Sequence, residues 1–277
     1  MDHISGKSVV ITGAASGFGR LLASKAAARG ARVTGGDIAV NELNALVNDV
    51  AEAGGEAQGI ETDVTDLAAM QRLVAAAVDR YGAVDVMVNN AGIMPLAFFS
   101  DHASAGDAWS RCIDINIKGV LNGIVAVYDT MLAQGRGHVV NLSSIYGNFP
   151  VAGAGVYGAS KAAVDFLSAS LRVEAQGRIK VTNVKPTGVP GTNLANGVVN
   201  PEAIVGILGQ YAPAYMQQLQ GLATGEAPVE LVDSEHIEYA ALAPEHLAEQ
   251  ILYAIDQPWG VNIAELTVRA SGDAYIL

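Results

Sequence analysis

Thr12-Gly13-Ala14-Ala15-Ser16-Gly17-Phe18-Gly19 joins a short β-branched run, Ser8–Thr12, to a helical pattern that starts at Gly17. Glycine at 13 permits a tight turn, Gly17 allows backbone to come close to a pyrophosphate, and Gly19 lets the helix pack closely on a sheet. The start of the helix, with Ser16 and Phe18 beside it, offers free N–H groups and the positive end of a dipole to phosphates. An isolated glycine-rich turn has little specificity. Set between strand and helix, it predicts a dinucleotide site, and the lack of Gly-Lys-Ser/Thr disfavours a nucleoside triphosphate.

Downstream, brief apolar runs alternate with longer helical patterns. Arg32–Gly36, Val84–Asn89, His138–Leu142, Lys180–Val184 and Ile263–Val268 read as buried strands. Gly17–Arg29, Glu42–Ala53, Leu67–Tyr81, a long segment around Trp109–Ala133, Val156–Gln176 and Pro244–Asp256 read as helices. Thr65 or Asp66 is the candidate cap of the third helix, and Gly30 and Gly82 stand at helix ends. The alternation predicts an α/β, Rossmann-type doubly wound parallel sheet of about seven strands with helices on both faces. From Pro186 the rhythm breaks. Residues 190–243 form a late insertion with a helix expected from Pro201 to Gln220, within a single domain spanning 1–277.

The bulk properties narrow the function. Of 277 residues, 51% are hydrophobic, and 16% are charged, below the usual quarter, so much of the chain is expected to be interior. A net charge of −12 repels nucleic acid and anionic lipid surfaces. The single cysteine, Cys112, excludes an intrachain disulfide and gives no metal cluster. The N-terminus lacks a signal-peptide pattern, and no apolar run is long enough to span a bilayer. The expectation is a cytoplasmic protein without metal, nucleic-acid or membrane partners.

Asp37 ends the second strand, 18 residues after Gly19. A carboxylate there accepts hydrogen bonds from ribose hydroxyls and repels a 2′-phosphate, which predicts NAD rather than NADP. The alternative is a turn aspartate. Tyr157 and Lys161 form an i,i+4 pair inside a helical segment, so the ammonium can approach the phenol and lower its pKa. Thirteen residues upstream, Ser144 stands at a strand end, with Ser143 its competitor for holding a substrate oxygen.

These motifs resemble the short-chain dehydrogenase/reductase family in its compact single-domain branch. The resemblance is carried by the loop at 12–19, Asn89-Asn90-Ala91-Gly92, Asn116, Ser144 and Tyr157-x-x-x-Lys161. It implies that Tyr157 exchanges a proton with an alcohol or ketone and that Lys161 depresses the Tyr pKa and binds the nicotinamide ribose. Ser144 would orient the carbonyl, and Asn116 would hold a relay water or, alternatively, only satisfy backbone in a helix kink. Asn90, Ala91 and Gly92 would line the adenosine side of the cleft, with Asp63 and Val64 against the adenine. The chain departs from the family at Pro186-Thr187-Gly188-Val189-Pro190-Gly191-Thr192, where Thr192 or the backbone around Gly188 and Val189 would serve the carboxamide.

No Arg or Lys occurs between Lys185 and Arg269, so a neutral, hydrophobic alcohol or ketone is the expected substrate. Met94, Leu96, Tyr146, Phe149 and Val151 are its candidate walls, Tyr146 serving either as a substrate contact or as packing. Insertion residues such as Leu194, Val198, Val199, Ile204, Ile207, Leu208, Tyr211, Tyr215, Met216, Leu219 and Leu222 are candidates to cover it. The competing reading is a catalytically idle dinucleotide-binding sensor on the same fold. A homodimer or homotetramer is implied by the resemblance.

Overall fold

A computed structural model describes residues 3–190 and 192–276, with the side chains of 219, 222 and 223 outside the description. Gly191, Leu219 and Leu222 of the sequence reading therefore fall, wholly or in their side chains, outside the described residues.

Seven parallel strands form one sheet in the order β3-β2-β1-β4-β5-β6-β7. They are β1 Ser8–Thr12, β2 Arg32–Asp37, β3 Glu56–Glu61, β4 Val86–Asn89, β5 Gly137–Leu142, β6 Ile179–Pro186 and β7 Glu265–Val268. The central strands are buried along their whole length because helices cover both faces. On one face α1 (Gly17–Ala28) and α2 (Val40–Glu52) pack with the late helix Pro244–Ile255 around Ile11, Leu22, Leu43 and Ile251. On the other, α3 (Leu67–Tyr81) packs with two later helices around Met70, Leu73, Met87 and Val164.

Local chemistry explains the boundaries. Asp66 caps α3 by accepting from the Ala68 amide at 2.9 Å, and Gly82 ends it in the left-handed region at φ +80°. The long helix expected from Trp109 begins earlier, as α4 (His102–Cys112). It continues through a π-helical turn at Ile113–Lys118 into α5 (Gly119–Ala133). Then follow α6 (Gly155–Glu174), α7 (Val205–Leu208), α8 (Ala212–Thr224), α9 (Val229–Val232) and α10 (Pro244–Ile255). The helix expected over Pro201–Gln220 is thus broken, at Gly209 with φ +53°, where the chain turns and restarts. β3 was missed by the strand reading altogether. Among the described residues no helix is long and apolar enough to cross a membrane.

Candidate active site

The strand order reverses direction from β1, so the C-terminal ends of β1 and β4 open a crevice between diverging loops. Thr12 and Asn90 hold the two loops together. The Thr12 hydroxyl accepts from the Asn90 and Ala91 amides at 3.1 and 3.2 Å, and the Asn90 amide side chain donates to the Thr12 and Gly13 carbonyls at 2.8 and 3.2 Å. Gly13 turns at φ +67°, and a Cβ on Gly19 would overlap the Gly13 carbonyl oxygen. Ser16 caps α1 without a side-chain hydrogen bond, which leaves the first-turn amides for an acceptor from the cleft. A backbone cradle of this kind suits a pyrophosphate.

The cleft has a volume of about 650 Å³. It gathers Gly13, Ser16, Gly17, Phe18, Gly19 and Asp37 at one end, with Asp63, Val64, Asn90, Ala91 and Gly92 along its side. Pro186, Gly188, Val189 and Thr192, then Met94, Ser144, Tyr146, Tyr157 and Lys161, line the other end. Asp37 is held by backbone: its carboxylate accepts from the Ala15 and Ala39 amides, each at 3.0 Å. It is thus a turn aspartate as well as a wall of the cleft, with lone pairs left for another donor. Arg20, the first cation after the loop, is engaged elsewhere, on Asp49 and the Glu42 carbonyl. Asp63 similarly accepts from the amide and hydroxyl of Thr65.

Asn116 lies apart from the cleft wall. Nearly fully buried on the π turn, its side chain accepts from the Ile93 amide at 2.9 Å and donates to the Ile93 carbonyl at 2.9 Å and the Ser160 hydroxyl at 3.0 Å. Its side chain braces the loop that carries Gly92, where a Cβ would sit 3.3 Å from Asn116 Oδ1 and 3.7 Å from Lys161 Nζ.

β5 and α6 bring the remaining groups together. The Ser143 hydroxyl donates to the Lys161 carbonyl at 3.1 Å, whereas the Ser144 hydroxyl accepts from the Tyr146 amide at 3.3 Å and acts to lower the Tyr157 pKa. Tyr157 packs edge-on against Tyr146, with ring centroids 5.4 Å apart. Burial pushes the Tyr157 phenol above its ordinary range, with Ser144 working against the rise. Lys161 is not among the main causes of this net shift. The Lys161 ammonium donates to the Leu142 carbonyl at 2.7 Å, lies 5.7 Å from the Tyr157 ring centre, and is itself driven down to about 8 by burial.

That lowered Lys161 pKa carries a pH dependence. Below about 8 the ammonium is charged in the folded and unfolded states alike, and its burial opposes folding. Above that value the folded state is neutral while the unfolded state keeps its proton up to its ordinary value of about 10.4, so this contribution makes stability rise with pH. Wild type is therefore expected to gain stability relative to Lys161→Met between about pH 8 and 10. Denaturant titrations at each pH check this, and a constant difference contradicts it.

The expected substrate walls need correction. Leu96 is fully buried behind the cleft, Phe149 is 64% exposed, and Val151 packs on the cluster around Ile207. Of the insertion, Leu194, Ile204 and Tyr215 line the cleft. Ile207 and Leu208 are core, Val198 packs against it, Val199 lies behind the wall with its amide on the Leu96 carbonyl, and Tyr211 and Met216 face outward. The Thr192 hydroxyl donates to the Val189 carbonyl at 3.3 Å. Sequence reasoning missed Tyr275, which reaches the cleft from the C-terminal segment and shares a 2.7 Å hydrogen bond with Tyr215. It also missed Ile38, Thr62 and Ile115. A lone tyrosine after the last strand carries no motif that would have signalled it. No cluster of metal-ligating side chains occurs among the described residues.

Comparison with known proteins agrees with this architecture. The chain is 37% identical over 265 residues to an uncharacterized oxidoreductase of Listeria monocytogenes, covering 96% of each. A short-chain dehydrogenase/reductase from Burkholderia phymatum, solved in complex with NAD, is 29% identical, with TM-score 0.75, covering 96% of this chain and 90% of that one. A serine dehydrogenase solved with NADP+ is 27% identical, with TM-score 0.77, covering 98% and 97%. Residues 7–203 match the family model described as short chain dehydrogenase, and the chain belongs to that family of oxidoreductases.

Proposed function

We propose that this protein transfers hydride between NAD and a neutral, hydrophobic secondary alcohol or ketone, with Tyr157 as the acid–base residue. The observation that carries this reading is the meeting of Ser144, Tyr157 and Lys161 in the same cleft as the glycine loop. NAD supplies or accepts the hydride; the chain's residues bind, orient and handle the proton. The loop at 13–19 cradles the pyrophosphate, Asp37 receives ribose hydroxyls, and the segment Pro186–Thr192 bounds the nicotinamide end. Ser144 fixes the substrate oxygen beside the Tyr157 hydroxyl. Raised by burial, that phenol holds its proton at neutral pH and gives it to a carbonyl oxygen as hydride arrives. In the opposite direction the phenol must first release its proton to solvent, and the phenolate then takes the alcohol proton. Lys161 contributes a buried positive charge beside the phenol, and Asn116 positions the loop around Gly92.

An apolar site supports a neutral substrate. Lys161 is the one cation among the described lining residues, and its ammonium is already hydrogen-bonded. The compact sheet domain with its insertion acts as a unit, and a homo-oligomer fits the exposed Leu121, Val125, Phe166 and Val173 on α5 and α6. A cytoplasmic setting fits the lone buried Cys112. NADH formation across a panel of secondary alcohols tests the activity, and a preference for anionic hydroxy acids contradicts it.

Asp37→Ala tests the cofactor. The kcat/KM ratio of NAD to NADP is expected to fall about tenfold or more, the effect of losing a charge-assisted hydrogen bond and a repulsion. An unchanged ratio means that Asp37 serves only its turn.

A further inference from the structure

The cleft carries a second polar group near the reacting one. Tyr215 on α8 and Tyr275 in the C-terminal segment both line it, their hydroxyls 2.7 Å apart and their rings edge-on at 5.6 Å. One hydroxyl of such a pair donates to the other, so the pair retains one O–H and free lone pairs for a third group. The Tyr275 hydroxyl is seated against Gly188, where any Cβ would overlap it. It therefore stands where Pro186, Thr187 and Gly188 line the cleft. Tyr146 packs on the Tyr157 ring and belongs to the same apolar cluster as Tyr215 and Tyr275.

Backbone and ion-pair contacts hold the segment that carries Tyr275. The Arg269 guanidinium binds Asp273 and donates to the Tyr275 carbonyl at 2.7 Å. The Gly272 amide donates to the Tyr239 carbonyl at 2.8 Å, and the Ile276 amide to the Ile207 carbonyl at 3.2 Å. Burial raises the pKa of both phenols, so they remain neutral donors. Lys161 is the one cation among the described lining residues and is held by the Leu142 carbonyl, and Arg269 is held by Asp273 and the Tyr275 carbonyl, so the pair suits an uncharged oxygen.

We infer that the Tyr215–Tyr275 pair binds a second, uncharged oxygen of the substrate, so that the preferred substrates are neutral compounds with two oxygen functions, diols or hydroxyketones. This rests on the reading of Tyr157 and Ser144 as the reacting end. One oxygen reacts there; the other is recognised by the phenols.

The test compares cyclohexanol with the three cyclohexanediol regioisomers, using NAD and the full chain. In wild type at least one diol is expected to exceed cyclohexanol in kcat/KM by about tenfold or more, the scale on which a site built to hydrogen-bond a hydroxyl discriminates. In Tyr275→Phe and Tyr215→Phe that ratio should collapse toward one, the diols losing about tenfold more than cyclohexanol does. Dissociation constants of the same compounds for the NAD-loaded Tyr157→Phe protein give a readout independent of turnover, with the same ratio expected. If no alcohol is turned over, or Tyr157→Phe is as active as wild type, the acid–base reading fails and the binding ratio still decides the pair. Equal affinity for cyclohexanol and every diol, or an equal loss for both in the Phe variants, overturns the inference.

Discussion

Tyr157→Phe is expected to lower kcat by about a thousandfold, within the range that a positioned acid–base group contributes. The substitution removes one oxygen from a ring whose packing against Tyr146 is otherwise kept. Binding of the dinucleotide should persist, because the glycine loop and Asp37 lie at the opposite end of the cleft. The measurement is NADH formation under saturating NAD and alcohol, together with a dissociation constant for NADH from fluorescence. Loss of turnover with retained binding is the expected pair of results. An undiminished kcat ends the assignment of Tyr157. Loss of both binding and the thermal transition would instead mean that the phenol is structural.

Gly19→Ala is expected to be strongly damaging. Its Cβ would overlap the Gly13 carbonyl oxygen and lie 2.5 Å from the Asn90 amide nitrogen. The first is backbone and the second is the side chain that clamps the two loops, so neither yields cheaply. Overpacking a well-filled site costs about 1–3 kcal/mol, and with backbone in the way the upper end of that range is expected. Dinucleotide affinity should fall at least about tenfold, since the turn that presents the amides must open. Denaturant unfolding and dinucleotide titration together check both effects. Gly106→Ala is the control: it lies in α4 with open space around its Cβ, and should gain about 0.5–1 kcal/mol. Similar behaviour of the two variants would show that the close approach at Gly19 is unimportant.

Much of the fold was readable because its signals are local. Val9, Val10 and Ile11 in β1 and Val86, Met87 and Val88 in β4 are apolar on both sides, as strands covered on both faces must be. β3 escaped because Glu-Ala-Gln-Gly-Ile-Glu has charged ends and a glycine, with only Ala57 buried in this edge strand. Pairing with β2, from Arg32 opposite Glu56 to Asp37 opposite Glu61, makes it a strand, and that is a tertiary cause. The broken helix after Pro201 was misread because its apolar spacing continues while Gly209 turns the backbone.

The site divides in the same way. The glycine loop, Ser144, Tyr157 and Lys161 announce themselves by spacing within one or two adjoining elements. Tyr275 does not, since its place beside Tyr215 depends on how the last residues fold back across the insertion. The sign of the Tyr157 shift was also out of reach. Spacing shows that a lysine can approach, but the upward direction comes first from burial of the phenol, which only the packed fold creates.

The π turn at Ile113–Lys118 acts as a phase shifter. Its amide ladder reaches one residue further back, with Gly119 donating to the Asp114 carbonyl. One extra residue in a turn rotates everything after it by about 100° relative to an uninterrupted α-helix. A single helical run can therefore serve two interiors. Before the turn, Cys112 faces the cluster around Tyr157 and Ile207; after it, Val120, Ile124, Val127 and Met131 face the sheet. Removing one residue there would leave the helix almost as long but aim its second half away from the strands.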